Sequence, residues 1–173
     1  VEATLKRLGT ESLPEVLSGV VESLPSLARE LGKEAPLVQI EDQGLRIKSQ
    51  LAGLLRNLFT HLLRNAVDHG IERVEERQQA GKPTQGRIEL DAELVEGQLR
   101  LTLRDDGRGL ALARIRERAL ARGLIAADDR LSDEQVAELI FLPGFSTAER
   151  VTEVSGRGVG MDAVREFLAR EGG

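Results

Sequence analysis

Leu99-Arg100-Leu101-Thr102-Leu103-Arg104-Asp105-Asp106-Gly107-Arg108-Gly109 alternates apolar and polar residues, then breaks into two carboxylates and two glycines. Strict alternation is the pattern of a strand with one buried face. Arg87–Val95 alternates in the same way, and Glu96-Gly97 between the two runs predicts a β-hairpin. The second strand therefore ends on Asp105-Asp106-Gly107-Arg108-Gly109. An ionised carboxylate only accepts hydrogen bonds, so Asp105 suits an exocyclic amine such as that of adenine. Gly107 and Gly109 would let a ligand approach the backbone. A plain strand-to-helix turn uses the same residues, and on this segment alone both readings stay open.

Upstream of the hairpin, residues 1–13 are polar and read as a linker or the end of an incoming helix. Val16, Val20, Leu24, Leu27 and Leu31 recur near helical spacing from Pro14 onward, and Gly32 closes that helix. Leu37–Ile40 and Leu45–Ile47 read as short strands around the turn Asp42-Gln43-Gly44. Ser49 is placed to cap a long helix running to about Asp68. Glu72–Gln79 is a short charged helix closed by Ala80-Gly81-Lys82-Pro83. Downstream, Leu112–Arg122 is a helix stopped by Gly123. Ser132-Asp133-Glu134-Gln135 caps another, which runs to about Ile140, and a last helix spans about Val159 to Ala169. This order predicts an α+β fold, a two-layer α/β sandwich with helices on one face of a mixed sheet. Residues 14–173 are assigned to one domain.

Composition narrows the classes. The chain has 173 residues, with 29 Asp+Glu against 24 Lys+Arg. A net acidic balance is a poor match to general nucleic-acid binding. With four Phe and no Tyr or Trp, a stacking platform for single strands is hard to build. There is no cysteine, which excludes disulfides and cysteine zinc sites. Neither a signal peptide nor an apolar run of bilayer length is visible. A cytoplasmic location without membrane insertion is expected.

At about 100° per residue, Leu51, Leu54, Leu58, His61, Asn65 and Asp68 share one stripe of the long helix. Leu55, Phe59, Leu62 and Ala66 form an apolar stripe beside it. A face bordering the core thus turns polar over its last two turns, in His61-Leu62-Leu63-Arg64-Asn65-Ala66-Val67-Asp68-His69-Gly70. Either it is a solvated helix end, or a ligand partners these groups. Both histidines of the chain fall here. Zinc is disfavoured, because Asn65, at i+4 from His61, is a poor zinc ligand. A magnesium ion that keeps most of its waters suits Asn65 better.

Two further segments carry chemistry. Gly156-Arg157-Gly158-Val159-Gly160-Met161 opens a helix, where free N–H groups and the helix dipole favour a phosphate; a flexible hinge is the other reading. The spacing matches neither the dinucleotide fingerprint nor a P-loop. Phe141–Ser155 is long for a connection. Pro143-Gly144 can hinge it, and Phe145, Ser146 and Thr147 are suited to covering a ligand, although a surface loop has the same look.

In this order, the polar helix, the Asp-x-Gly-x-Gly turn, the loop and the Gly-x-Gly-x-Gly turn resemble the ATP-binding domain shared by histidine kinases, Hsp90, type II topoisomerases and MutL-type proteins. His61-x-x-x-Asn65 resembles the kinase form of the first box. The runs from His61 to Glu72, Ile140 to Glu149 and Val154 to Asp162 are similar to chemotaxis-type histidine kinases, the CheA family. The resemblance implies that ATP and Mg²⁺ are bound, with Asn65 holding the metal and phosphate oxygens. It implies that His61 lies beside the γ-phosphate and orients or deprotonates the nucleophile, while Arg64, Asp68 and His69 line the phosphate side. Asp105 would accept from adenine, with Gly107 and Gly109 beside the base. Phe145, Ser146 and Thr147 would belong to a lid, and Gly156, Arg157, Gly158, Gly160 and Met161 would wrap the triphosphate. The family's acceptor is a histidine on a separate phosphotransfer domain, of the same or a partner chain, which passes the phosphoryl group to a response regulator in two-component signal transduction. A receptor or coupling protein is a further implied partner.

Against that pattern, the expected final strand pair and the acceptor domain lie outside the sequence ending at Gly173. A regulatory nucleotide-binding module without transfer activity and a serine kinase of the anti-sigma-factor type are the alternatives. His61 argues against the first and the lid sequence against the second.

Overall fold

The computed structural model describes residues 10–142 and 145. In chain order these form α1 (Leu13–Glu30), β1 (Leu37–Glu41), α2 (Ser49–Asn65), a π-helical turn (Ala66–Gly70) and α3 (Val74–Gln79). There follow β2 (Arg87–Val95), β3 (Gln98–Asp105), α4 (Leu112–Ala121), α5 (Asp133–Glu138) and a 3₁₀ turn (Leu139–Phe141). The chain divides into two compact units between Gly109 and Leu110. The last expected helix, from about Val159 to Ala169, lies outside the described residues.

In the first unit, β1 runs parallel to β2 and β2 antiparallel to β3, a mixed sheet in the order β1-β2-β3. Glu96 and Gly97 have φ of 50° and 81°. Two successive left-handed residues make the two-residue connection whose twist matches the strands it joins. The register puts Val38, Ile88 and Asp105 side by side, then Ile40, Leu90 and Leu103. One face of the sheet is therefore apolar: Ile88, Leu90 and Ala92 are buried, and Val38, Ile40, Leu99, Leu101 and Leu103 pack around them. Helices α1 and α2 cover that face through Leu13, Val16, Leu17, Leu24, Leu55, Phe59 and Leu63. The opposite face carries cross-strand ion pairs, Arg104–Asp91 at 2.8 Å and Arg100–Glu93 at 3.3 Å. The two-layer α+β arrangement expected from the sequence is the arrangement found.

Local signals account for most boundaries. Ser12 caps α1 and Glu15 closes a capping box, its Oε2 accepting from the Ser12 N–H at 2.6 Å. The same box, Ser132 with Gln135, starts α5. Two expectations need correction. Leu45–Ile47 does not pair with β1 as a strand. Asp42 Oδ1 instead accepts from the Gly44 N–H at 3.0 Å, and Ile47 makes an isolated antiparallel bridge with Glu11. The two apolar residues sink singly into the core, Leu45 and Ile47 both being buried, so their spacing reflects anchoring rather than a ladder. Nor does Ser49 cap α2. The cap position is Lys48, with no side-chain bond, and Ser49 is the first helical residue.

The second unit is built around Ile115, Ala119, Val136 and Phe145, all buried. Arg122 Nη1 donates to the Phe145 carbonyl at 3.0 Å, and the guanidinium stands 6.0 Å from the Phe145 ring centroid.

Leu90 is central to the sheet and 1% exposed. Leu90→Ala should destabilise the chain by about 2–5 kcal/mol, read as a lower urea midpoint with an unchanged slope.

Candidate nucleotide site

Strand parity decides where Asp105 points. It follows Leu103 by two residues and pairs with Ile88, so it lies on the helix-covered face at the end of the sheet. That is where the π-helical turn after α2 ends. The Ile71 N–H reaches back to the Ala66 carbonyl at 2.7 Å, an i→i+5 bond that widens the last turn. A Cβ on Gly70 would sit 3.2 Å from Asp105 Oδ1. A Cβ on Gly107 would sit 2.3 Å from the Gly70 carbonyl oxygen, inside any allowed contact. The Arg108 N–H donates to that same carbonyl at 3.0 Å. Gly107 is thus required by the close packing of the Asp-Gly turn on the end of the His61–Gly70 segment. Two sequence motifs become one surface by this contact.

Asp105 is exposed, and its Oδ1 accepts from the Gly107 N–H at 2.9 Å. Gly109 has left-handed backbone, φ 68°, with open space around its Cα. On the helix side His61, Arg64 and Asn65 are half-buried, while Asp68 and His69 are exposed and approach each other at 3.5 Å. Lys33 Nζ donates to the carbonyls of Val67 and Asp68, at 2.8 and 2.5 Å, and so holds the π turn from outside. Burial lowers the Lys33 pKa. Phe145 lies in the second unit's core. Ser146, Thr147, Gly156, Arg157, Gly158, Gly160 and Met161 lie outside the described residues.

The residues that hold this surface together were not among those singled out from the sequence. Arg77 is 0% exposed. Its Nη1 donates to Glu72 at 2.9 Å, its Nη2 to Asp106 at 2.8 Å and its Nε to the Pro83 carbonyl at 2.6 Å. Weaker contacts reach the Gln85 and Asp106 carbonyls at 3.4 Å. Lys82 Nζ donates to Glu72 at 2.6 Å and to the carbonyls of Asp106 and Gly107 at 2.9 and 2.8 Å. Asp106 Oδ1 accepts from the Arg87 N–H at 2.8 Å. In a segment rich in charge, Arg77 looks like one more solvated residue. The signal that could have found it is the spacing Ile71, Val74, Arg77, which carries an inward-facing row through the arginine.

Burial alone would raise the carboxyl pKa of Glu72, but the bonds from Lys82 and Arg77 outweigh it and hold the value below the usual range. Asp106 is held low in the same way by Arg77 and the Arg87 N–H. Burial works against the Arg77 charge, yet Asp106 and Glu72 raise its pKa. Among the described residues no group of three or more His, Cys, Asp and Glu converges as a metal cage. The amide of Asn65 is an oxygen donor at the end of α2. An amide oxygen is a ligand type that Mg²⁺, a hard cation that keeps several of its waters, accepts.

Residues 50–173 match the family model described as histidine kinase-, DNA gyrase B-, and HSP90-like ATPase. The chain therefore belongs to that family and is an ATP-binding domain. It is 43% identical over 163 residues to a gliding motility regulatory protein of Myxococcus xanthus, covering 91% of this chain and 21% of that protein. It is 44% identical over 147 residues to the chemotaxis protein CheA of Salmonella typhimurium, covering 85% of this chain and 22% of CheA. The sensor histidine kinase CheAY of Helicobacter pylori is 39% identical over 149 residues, covering 85% of this chain and 18% of CheAY. The chain spans about a fifth of the length of these curated relatives. Among solved structures, the Erythrobacter litoralis EL346 blue-light activated histidine kinase matches 72% of this chain and 33% of its own, with a TM-score of 0.40 and 20% identity. No described helix is long and apolar enough to cross a membrane.

Arg77→Met should destabilise the chain by roughly 3–5 kcal/mol at neutral pH, because it leaves the buried Glu72 with Lys82 as its remaining cation and takes the guanidinium donors from Asp106 and the Pro83 carbonyl. The folded pKa values of Glu72 and Asp106 lie below their unfolded ones. Their contribution is full above the ordinary carboxylate range, about pH 4, and is lost as pH falls through the lower folded values. Urea midpoints of wild type and variant should therefore converge as pH is lowered through that window.

Proposed function

We propose that this chain is the Mg·ATP-binding catalytic domain of a chemotaxis-type histidine kinase. It transfers the γ-phosphoryl group of ATP to a histidine on a separate phosphotransfer domain, which then supplies a response regulator. The observation that carries the reading is the contact of Asp105 and Gly107 with Gly70, which joins a base acceptor to a polar helix end. The similarity to CheA proteins over most of the chain supports the kinase assignment.

In this reading Asp105 accepts from the adenine amine, with Gly107 and Gly109 beside the base. Arg64, Asp68 and His69 line the phosphate side. Asn65 holds Mg²⁺, which neutralises phosphate charge when bound. His61 orients the incoming imidazole and takes its proton as the phosphoryl group moves. Phe145, Ser146 and Thr147 belong to the lid, and Gly156, Arg157, Gly158, Gly160 and Met161 wrap the triphosphate. Such transfer is mainly positioning and charge neutralisation, which these side chains supply. A receptor or coupling protein acts on the parent protein, and the domain works in the cytoplasm.

Isothermal titration with a non-hydrolysable ATP analogue and Mg²⁺ tests the binding step. A single site is expected, weakened about tenfold or more by Asp105→Asn, the loss of one charge-assisted bond. A folded sample that does not bind, or an Asp105→Asn variant that binds undiminished, contradicts the reading. With radiolabelled ATP and an added phosphotransfer domain, acid-labile label on histidine is expected, and His61→Ala should abolish it. Acid-stable label would instead favour a serine kinase.

A further inference from the structure

We propose that Lys82 is a specificity-determining positioning residue: by gripping two successive peptide units it fixes the Asp105 carboxylate and so sets the preference for adenine over guanine nucleotides. The inference rests on Asp105 being the base acceptor.

Adenine presents an amine where guanine presents a carbonyl oxygen. A carboxylate accepts only, so it favours the first and repels the second. The discrimination is sharp only if the acceptor cannot move away. Asp105 Oδ1 is committed to the Gly107 N–H at 2.9 Å. Among the described residues Oδ2 accepts from nothing, and it is left for the ligand. The direction of the carboxylate thus follows the direction of the Gly107 N–H.

That N–H shares a planar peptide unit with the Asp106 carbonyl. Lys82 Nζ donates to this carbonyl at 2.9 Å. The next unit joins the Gly107 carbonyl to the Arg108 N–H, and Lys82 Nζ also donates to the Gly107 carbonyl at 2.8 Å. The Arg108 N–H is bound to the Gly70 carbonyl at 3.0 Å. One ammonium therefore holds the oxygen ends of two peptides whose N–H ends fix Asp105 and Gly70. Glu72 Oε1 takes the third donor at 2.6 Å, so all three Lys82 protons are engaged within the fold. Lys82 acts on the ligand through Asp105 rather than by touching phosphate. Arg77 locates Glu72 and Asp106 beneath it.

The test is a titration of the 173-residue chain with non-hydrolysable ATP and GTP analogues in Mg²⁺. It compares wild type, Lys82→Met, Lys82→Arg, Asp105→Asn and the double variant Lys82→Met with Asp105→Asn, with folding followed by circular dichroism. Lys82→Met should lower the ATP-to-GTP affinity ratio about tenfold, the equivalent of one lost well-placed bond. Most of that change should fall on the ATP analogue. Lys82→Arg should restore part of the ratio, and in the Asp105→Asn background Lys82→Met should change it no further. If Lys82→Met does not fold, Glu72→Gln, which frees the ammonium without removing it, should lower the ratio in the same direction. A wild type that discriminates while the ratio ignores both Lys82→Met and Glu72→Gln overturns this inference alone, as do effects that multiply in the double variant. A wild type that binds neither analogue overturns the functional reading and this inference with it.

Discussion

A guanidinium with no exposure to solvent sits beneath the site, and the site's geometry follows from where it must find partners. Arg77 cannot be left uncompensated in the interior, so Glu72 from the end of the π turn and Asp106 from the end of β3 converge on it. Those two carboxylates belong to segments far apart in sequence. Their convergence brings the Asp-Gly turn against Gly70. The Pro83 carbonyl on Nε ties in the chain entering β2. Taking two charges out of water gains little net stability, but it makes one arrangement of three segments far better than any other.

The candidate surface is then a matter of parity and small residues. Alternation along β3 carries Asp105 onto the helix side of the sheet, one step beyond the last core leucine. Gly70 and Gly107 remove the side chains that would hold the two motifs apart. The π turn shifts the phase of the chain after Asn65, and Lys33 secures its carbonyls from the loop after α1. This packing sets the carboxylate of Asp105 and the polar end of the His61–Gly70 segment side by side.

What was legible in the sequence was whatever has a local period. The hairpin and the helices follow from alternation and from 3.6-residue spacing. The polar turn of the stripe at His61 and Asn65 was readable for the same reason. Leu45 and Ile47 misled because two apolar residues at strand spacing also describe two separate anchors. Ser49 misled because cap residues are common inside first turns, and only the backbone decides which residue is the cap. The spacing of Ile71, Val74 and Arg77 hints at an inward arginine, but the bonds of Lys33 to the π turn, of Arg77 to Asp106 and of Lys82 to the Asp106 carbonyl join residues roughly 24 to 35 positions apart, and no local pattern encodes those. Family resemblance supplied roles for single residues but not the scaffold beneath them.

The central claim is that nucleotide docks where Asp105 and Gly107 meet the end of the His61–Gly70 segment. Heteronuclear NMR of the ¹⁵N-labelled chain, titrated with a non-hydrolysable ATP analogue and Mg²⁺, addresses it directly. The largest amide shifts are expected at Asn65, Gly70, Asp105, Gly107 and Gly109, with little change at Glu89, Asp91 and Arg104 on the opposite face of the sheet. Saturable shifts confined to that opposite face, with Gly70 and Gly107 unmoved, would contradict the account.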